Sequence, residues 1–304
     1  MSISVIDTAT TMRAVLTAPE SARQNLLREL WAPVAPMYSF VPGGVDLAAV
    51  HAQNFGFPTT HSIPEVLEAC DTLANARAWE RIGHALQHGI SALRAANPRI
   101  TIPDLTVLLV LGDPSNPHFM EEVQGLSGFG GISGFIVITV WPTERIMSRL
   151  EAIVVHELHH NLRYSPGGVL WDPQTVTVGE HVVSEGLADV CAVELTGADG
   201  LTHFVSAETR ADDAVLARIA TGLDVTGMGD FAAWVLGDAT AHLFGTAPVG
   251  LPTGAGYAAG ARIVQAYLAA EGTTAAASLH TPAAEILRIA LPALNLAPPQ
   301  SAAD

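Results

Sequence analysis

The sequence predicts an α+β protein, with buried strands in the middle of the chain and largely helical regions before and after them. Three observations carry this reading. Two apolar, β-branched runs, Leu105–Leu111 and the second half of 125–140, have the length and composition of buried strands. On either side of them, apolar residues recur at three- and four-residue intervals, the period of a helix with one buried face. The 304 residues are 49% hydrophobic and only 14% charged, with a mean hydropathy of +0.33, so the chain can bury a substantial core.

Taken in order, residues 19–31 have helical spacing that ends at the proline-containing WAPVAP, and 63–96 supports two further helices, giving an N-terminal helical region over 1–100. Leu105–Leu111 is a continuous apolar run stopped by Gly112, Asp113 and Pro114, hence a buried strand. In 125–140, GLSGFGGISGFIVITV, a glycine-rich loop leads into a strand, and its glycines suit a bulge or the close approach of another backbone. No Gly-Lys-Ser/Thr follows, so the loop is not a phosphate cradle. From 143 to 164 the pattern is helical, with Ile146, Leu150, Ile153, Val154, Leu158 and Leu162 on one face. Thr143 suits the cap, Glu144 the first turn, and Ser165-Pro166-Gly167 the stop. A second helix is expected from about 180 to 195, before Gly197, so 101–200 reads as a core region. Residues 201–304 form a third, mostly helical region interrupted by a Gly/Pro-rich stretch at 245–256, and the tail APPQSAAD is expected to fray. The three regions are equally compatible with one compact unit, since no repeat or long linker separates them.

The formal charge is −16, from 30 acidic against 14 basic residues, and every basic residue is arginine. Affinity for nucleic acid is built on neutralising phosphates, so nucleic acid is not an expected partner. Without lysine, Schiff-base chemistry is excluded. No apolar run approaches the roughly 18 to 20 residues that span a bilayer, and the N-terminus MSISVIDTATTMRAVLTAPE lacks the pattern of a signal peptide. Cys70 and Cys191 make no CxxC pair and no disulfide framework. A cytoplasmic protein is the default expectation.

The chemistry sits at HELHH, 156–160, on the first of the mid-chain helices. His156 and His160 are four residues apart, so their imidazoles project from one face at a separation that one tetrahedral ion bridges. Glu157 lies about a hundred degrees around the helix from His156, placed to take a proton from a water in the metal's open position. Chance also produces HExxH, but the apolar turn EAIVV ahead of it carries the motif inward. A catalytic zinc takes three protein ligands and a water. Glu185 in SEGLAD is the best third ligand, because Asp189 follows four residues later on the same face and can accept a hydrogen bond from a ligand imidazole. His181, one turn earlier, is the competing ligand. His159 points to another side of its helix and, with Arg163, reads as a structural polar contact; Glu180 and Glu194 read as ordinary surface charge.

HExxH followed by ExxxD on a second helix is the gluzincin pattern, and GGISG, HELHHNLRY and SEGLAD together resemble a bacterial family of predicted zinc-dependent proteases containing a domain of unknown function. The likeness covers about 105–197, with a fainter echo at GYAAGARIV, 256–264. It implies a zincin-like fold: a mixed sheet packed on the HELHH helix, with an edge strand beside the substrate. It also implies one zinc ion bound by His156, His160 and Glu185, Glu157 as general base, and Asp189 orienting a ligand. His160 and Glu185 are a few residues further apart than in the best-known gluzincins, which affects the loop at 165–177 more than the ligands. On this reading Gly131, Ile132 and Ser133 offer backbone groups to an extended substrate, Tyr257 donates to the developing oxyanion, and Arg262 binds a substrate carboxylate, with His242 and His280 as weaker alternatives. The expected substrate is a peptide; a small amide or ester, or a non-catalytic zinc-stabilised interaction protein, are the competing readings. The sequence leaves the oligomeric state open.

Overall fold

The computed structural model describes residues 1–197 and 200–297; the part of the APPQSAAD tail from Pro298 onward lies outside the described residues. The chain forms two compact units, one of Met1–Ile90 and Thr101–Asn161, the other of Ser91–Ile100 and Leu162–Asp304. No described helix is long and apolar enough to cross a membrane.

The first unit contains strand β1 (Ile3–Val5), helices α1 (Thr8–Thr17), α2 (Glu20–Trp31), α3 (Leu47–Gln53), α4 (Ile63–Asn75) and most of α5 (Ala78–Ala96). These are followed by β2 (Leu105–Leu111), β3 (Leu126–Phe129), β4 (Phe135–Val140), α6 (Glu144–Ser148) and all but the end of α7 (Leu150–Arg163). The strands make one sheet in the order β1-β2-β4-β3. β2 pairs in parallel with β1 and β4, and β3 runs antiparallel to β4, with Ser127 opposite Thr139. The sheet is therefore mixed, as expected. The order follows from composition. LTVLLVL and FIVITV are apolar on both faces and take the centre, whereas the three-residue β1 and the glycine-containing β3 take the edges. α1 and α4 cover β2, contributing Met12, Leu16, Val66 and Leu73 to the core.

Two local expectations change. The glycine-rich stretch is a loop only in part, because LSGF within it pairs as β3. The helix expected over 143–164 is two helices: Thr143 caps α6 by accepting from the Ile146 amide, and the chain leaves helical geometry at Arg149 (φ −113°, ψ 6°) before α7 begins. The break is held from outside. Arg81 of α5 donates to the Met147 carbonyl, which the break leaves without a helical partner, and pairs with both carboxylate oxygens of Glu151 at 2.6 Å.

The second unit is helical: α8 (Val178–Thr196), α9 (Ala207–Ala211), α10 (Asp213–Ala220), α11 (Asp238–Phe244), α12 (Ala255–Glu271) and α13 (Ala283–Ala293). Thr177 caps α8 through the Glu180 amide, and every residue from Val178 to Ala192 is buried, as a helix apolar around most of its circumference must be. α12 packs against it at Gly186 and Gly260, where a Cβ on either would strike the other helix's backbone.

Candidate metal centre

α7 sets out the first part of the site. His156 and His160 are both buried, and their Nε2 atoms stand 3.0 Å apart with ring centroids 4.7 Å apart. Two imidazole nitrogens on one zinc, each about 2.0–2.1 Å from it in a tetrahedral arrangement, stand about 3.3 Å apart, so this pair needs only a small adjustment to share an ion. Among the described residues, the group able to hold a metal is His156, His160 and Glu185, with one donor atom from each within 4.8 Å of the others and all three buried. Two neutral nitrogens and a carboxylate form a donor set suited to zinc. His181 is outside that group; its ring lies edge-on to Phe231 at 4.7 Å.

Glu157 is buried on the same helix, and the sheet edge lies directly against it. A Cβ at Gly128 of β3 would run into its carboxylate, and one at Gly130 into its backbone carbonyl. Two glycines in SGFGG are thus what lets the edge strand reach the helix; the sequence signalled close backbone approach without naming the partner.

Asp189, fully buried on α8, accepts from both the amide (3.1 and 3.2 Å) and the hydroxyl (2.6 Å) of Thr202, with Arg210 Nη1 3.8 Å away. Tyr257 on α12 is partly exposed, edge-on to Phe204 at 5.4 Å. Arg262 pairs with Asp213 at 2.6 Å and donates to the Asp212 carbonyl, so its guanidinium is engaged at the start of α10. His280 Nε2 contacts the Leu162 carbonyl at 2.9 Å, and His242 is exposed on α11.

Residues 78–288 match the family described as "Predicted Zn-dependent protease (DUF2268)". The chain belongs to this family. It is also 30% identical over 245 residues to the uncharacterized protein YjfC of Bacillus subtilis (strain 168), a match covering 79% of each chain. No solved structure matches it. The family segment begins at the first residue of α5 and takes in β2, β3, β4, both motif helices and most of α13, so a family member's motif residues and the elements positioning them lie within one matched stretch.

Within this member of the predicted zinc-dependent protease family, three side chains do more than the sequence suggests. Glu180 is a buried partner and not a surface charge: Arg163, with no exposed side chain, binds its two oxygens at 2.8 and 3.0 Å, and Tyr164 donates to it at 3.1 Å. Arg163 also donates to the Leu279 and Thr281 carbonyls. The polar contact expected between His159 and Arg163 therefore gives way to an Arg163–Glu180 pair; His159 itself is fully buried. Burial first, and Glu180 second, push the Tyr164 phenol above its ordinary pKa, so it remains a neutral donor. Glu194 likewise is no free surface charge, since it accepts from the Ala275 and Ala276 amides.

The third is Asn161, the residue after HELHH, which is fully buried and bonded to the glycine-rich turn ahead of β4. The carbonyls of Gly130 and Ile132 are among its partners, so part of the backbone expected to meet substrate is already engaged. Gly131, Ile132 and Ser133 are each partly exposed. Asn161 lies in the last turn of α7, and no sequence signal pointed to its partners, which lie 26 to 31 residues earlier.

Proposed function

We propose that the chain is a gluzincin-type metallopeptidase in which His156, His160 and Glu185 hold one zinc ion and Glu157 is the general base. The observation that carries this is the buried His–His–Glu group, whose two histidines share a helix with a carboxylate that faces a sheet edge. Zinc in such a site supplies Lewis acidity, making water easier to deprotonate and a carbonyl easier to attack. Glu157 takes the proton of the attacking water at a carboxylate oxygen and passes it to the departing amine. Asp189, one turn beyond Glu185, is bonded to Thr202 and orients a ligand imidazole.

The exposed edge of β3 aligns an extended peptide beside Glu157 by main-chain pairing, with Gly131, Ile132 and Ser133 continuing that surface. Tyr257 donates to the oxyanion. Arg262 would reach a substrate carboxylate only by giving up Asp213. The peptide reading is preferred over a small amide because a sheet edge lies against the base. The test is Glu157→Gln assayed on a peptide library and on small acylated amides: zinc content stays unchanged while peptide cleavage falls by about 10²–10⁴-fold. Retained activity removes Glu157 from its role, and cleavage of the small amides alone replaces the substrate class.

A further inference from the structure

The Asn161 carboxamide has two N–H donors and one carbonyl acceptor, and all of them are spent on the turn between β3 and β4. Oδ1 accepts from the Gly134 amide at 3.0 Å, while Nδ2 faces the carbonyls of Gly130 (3.1 Å), Ile132 (2.8 Å) and Phe135 (2.8 Å). Besides Asn161, the Thr106 amide of β2 holds the Gly134 carbonyl at 2.8 Å and the Phe135 amide closes back on the Ile132 carbonyl at 3.1 Å, while Gly134 sits at φ 90°, a conformation suited to glycine; Asn161 ties the turn to α7. Asn161 is one residue beyond His160 on α7, and the turn is the continuation of β3, whose Gly128 lies on the Glu157 carboxylate. One side chain thus ties the sheet edge to the helix that carries the base.

We infer that Asn161 is a positioning residue for substrate: by pinning the 130–135 turn to α7 it fixes the β3 edge relative to Glu157, and so governs the binding of extended substrates and not the chemical step. The inference rests on the peptidase reading. A merely structural role would lower the yield of folded protein and leave the kinetics of what folds unchanged. The positioning role instead separates KM from kcat, because a displaced edge weakens main-chain pairing along the substrate while the ligands and Glu157 stay in place.

Asn161→Asp tests this, since it keeps the acceptor for Gly134 and sets a carboxylate against three carbonyls at nearly constant volume. If that variant does not fold, Asn161→Ser, with one donor and one acceptor on a shorter arm, is read in the same way. Zinc content, amide hydrogen exchange and kinetics on peptides of increasing length are measured beside the wild type. The expected result is unchanged zinc, faster exchange across 126–135 with α7 still protected, and KM raised on the order of tenfold for long peptides but not for the shortest cleaved one, with kcat nearly constant. If the wild type cleaves peptides and the variant's KM is unchanged at every length, or kcat alone falls, the positioning role is overturned and the peptidase reading stands. If the wild type cleaves no peptide, both fail.

Discussion

At the scale of single residues, the site depends on what is missing as much as on what is present. Gly128 has no side chain where Glu157 needs room, so Gly128→Ala should push the carboxylate out of line. Peptide cleavage is expected to fall by about tenfold to a hundredfold with zinc content unchanged, whereas Gly131→Ala, whose Cβ would meet only the Phe129 ring at 3.3 Å, should cost little. Equal activity in the two variants would show that β3 does not bear on the base. HELHH and SEGLAD were legible because metal ligation imposes both residue type and spacing. Asn161, Arg163 and Glu180 were not, because their roles depend on partners distant in sequence: Asn161 on a turn about thirty residues earlier, and Arg163 on the carbonyls of Leu279 and Thr281. One strand or helix cannot announce such a partner.

At the scale of elements, Arg163 and Glu180 join the end of α7 to the first turn of α8 in a pair with almost no solvent. Removing one member of a buried pair strands the other's charge and costs about 3–5 kcal/mol. Arg163→Met or Glu180→Gln should therefore lower the urea midpoint sharply, and an unchanged midpoint would mean that the pair contributes no net stability. The strands β2 and β4 and the helices α2, α4, α5 and α8 were readable from apolar period, length and stop signals, to within a few residues. β1 falls within the region expected to be helical, since a three-residue strand has too few positions to show alternation. β3 was hidden because glycines lower strand propensity, and only its pairing with β4 makes it a strand. The break at Arg149 was not legible because apolar residues continue in phase across it, while Arg81, which bonds the Met147 carbonyl there, lies on another helix.

At the scale of the whole molecule, acid stability is tied to His51, far along the chain from the motif helices. Its Nδ1 accepts from the Trp31 indole at 3.0 Å and its Nε2 bonds the Phe57 carbonyl at 2.9 Å. Burial pulls its pKa from 6.5 down to about 4, with the Phe57 bond opposing the shift. The unfolded chain therefore binds a proton that the folded chain refuses between those values. His51 withdraws no stability above about pH 6.5, and its cost grows as pH falls from there to about 4, by up to about 1.4 kcal/mol per pH unit. Unfolding free energies measured by urea at pH 7.5, 6, 5 and 4.5 should fall more steeply in the wild type than in His51→Gln; parallel curves would remove His51 as the cause. This part of the chain, before residue 78, lies outside the matched family segment.

Metal content tests the convergence of His156, His160 and Glu185 on one metal ion without any knowledge of substrate. Elemental analysis of the purified 304-residue chain, with His156→Ala, His160→Ala, Glu185→Ala and His181→Ala measured beside it, should give about one zinc per chain in the wild type and in His181→Ala. The other three variants should lose it while remaining folded by circular dichroism. Full zinc occupancy in Glu185→Ala, or a folded wild type that takes up no divalent metal when it is supplied, would contradict the account.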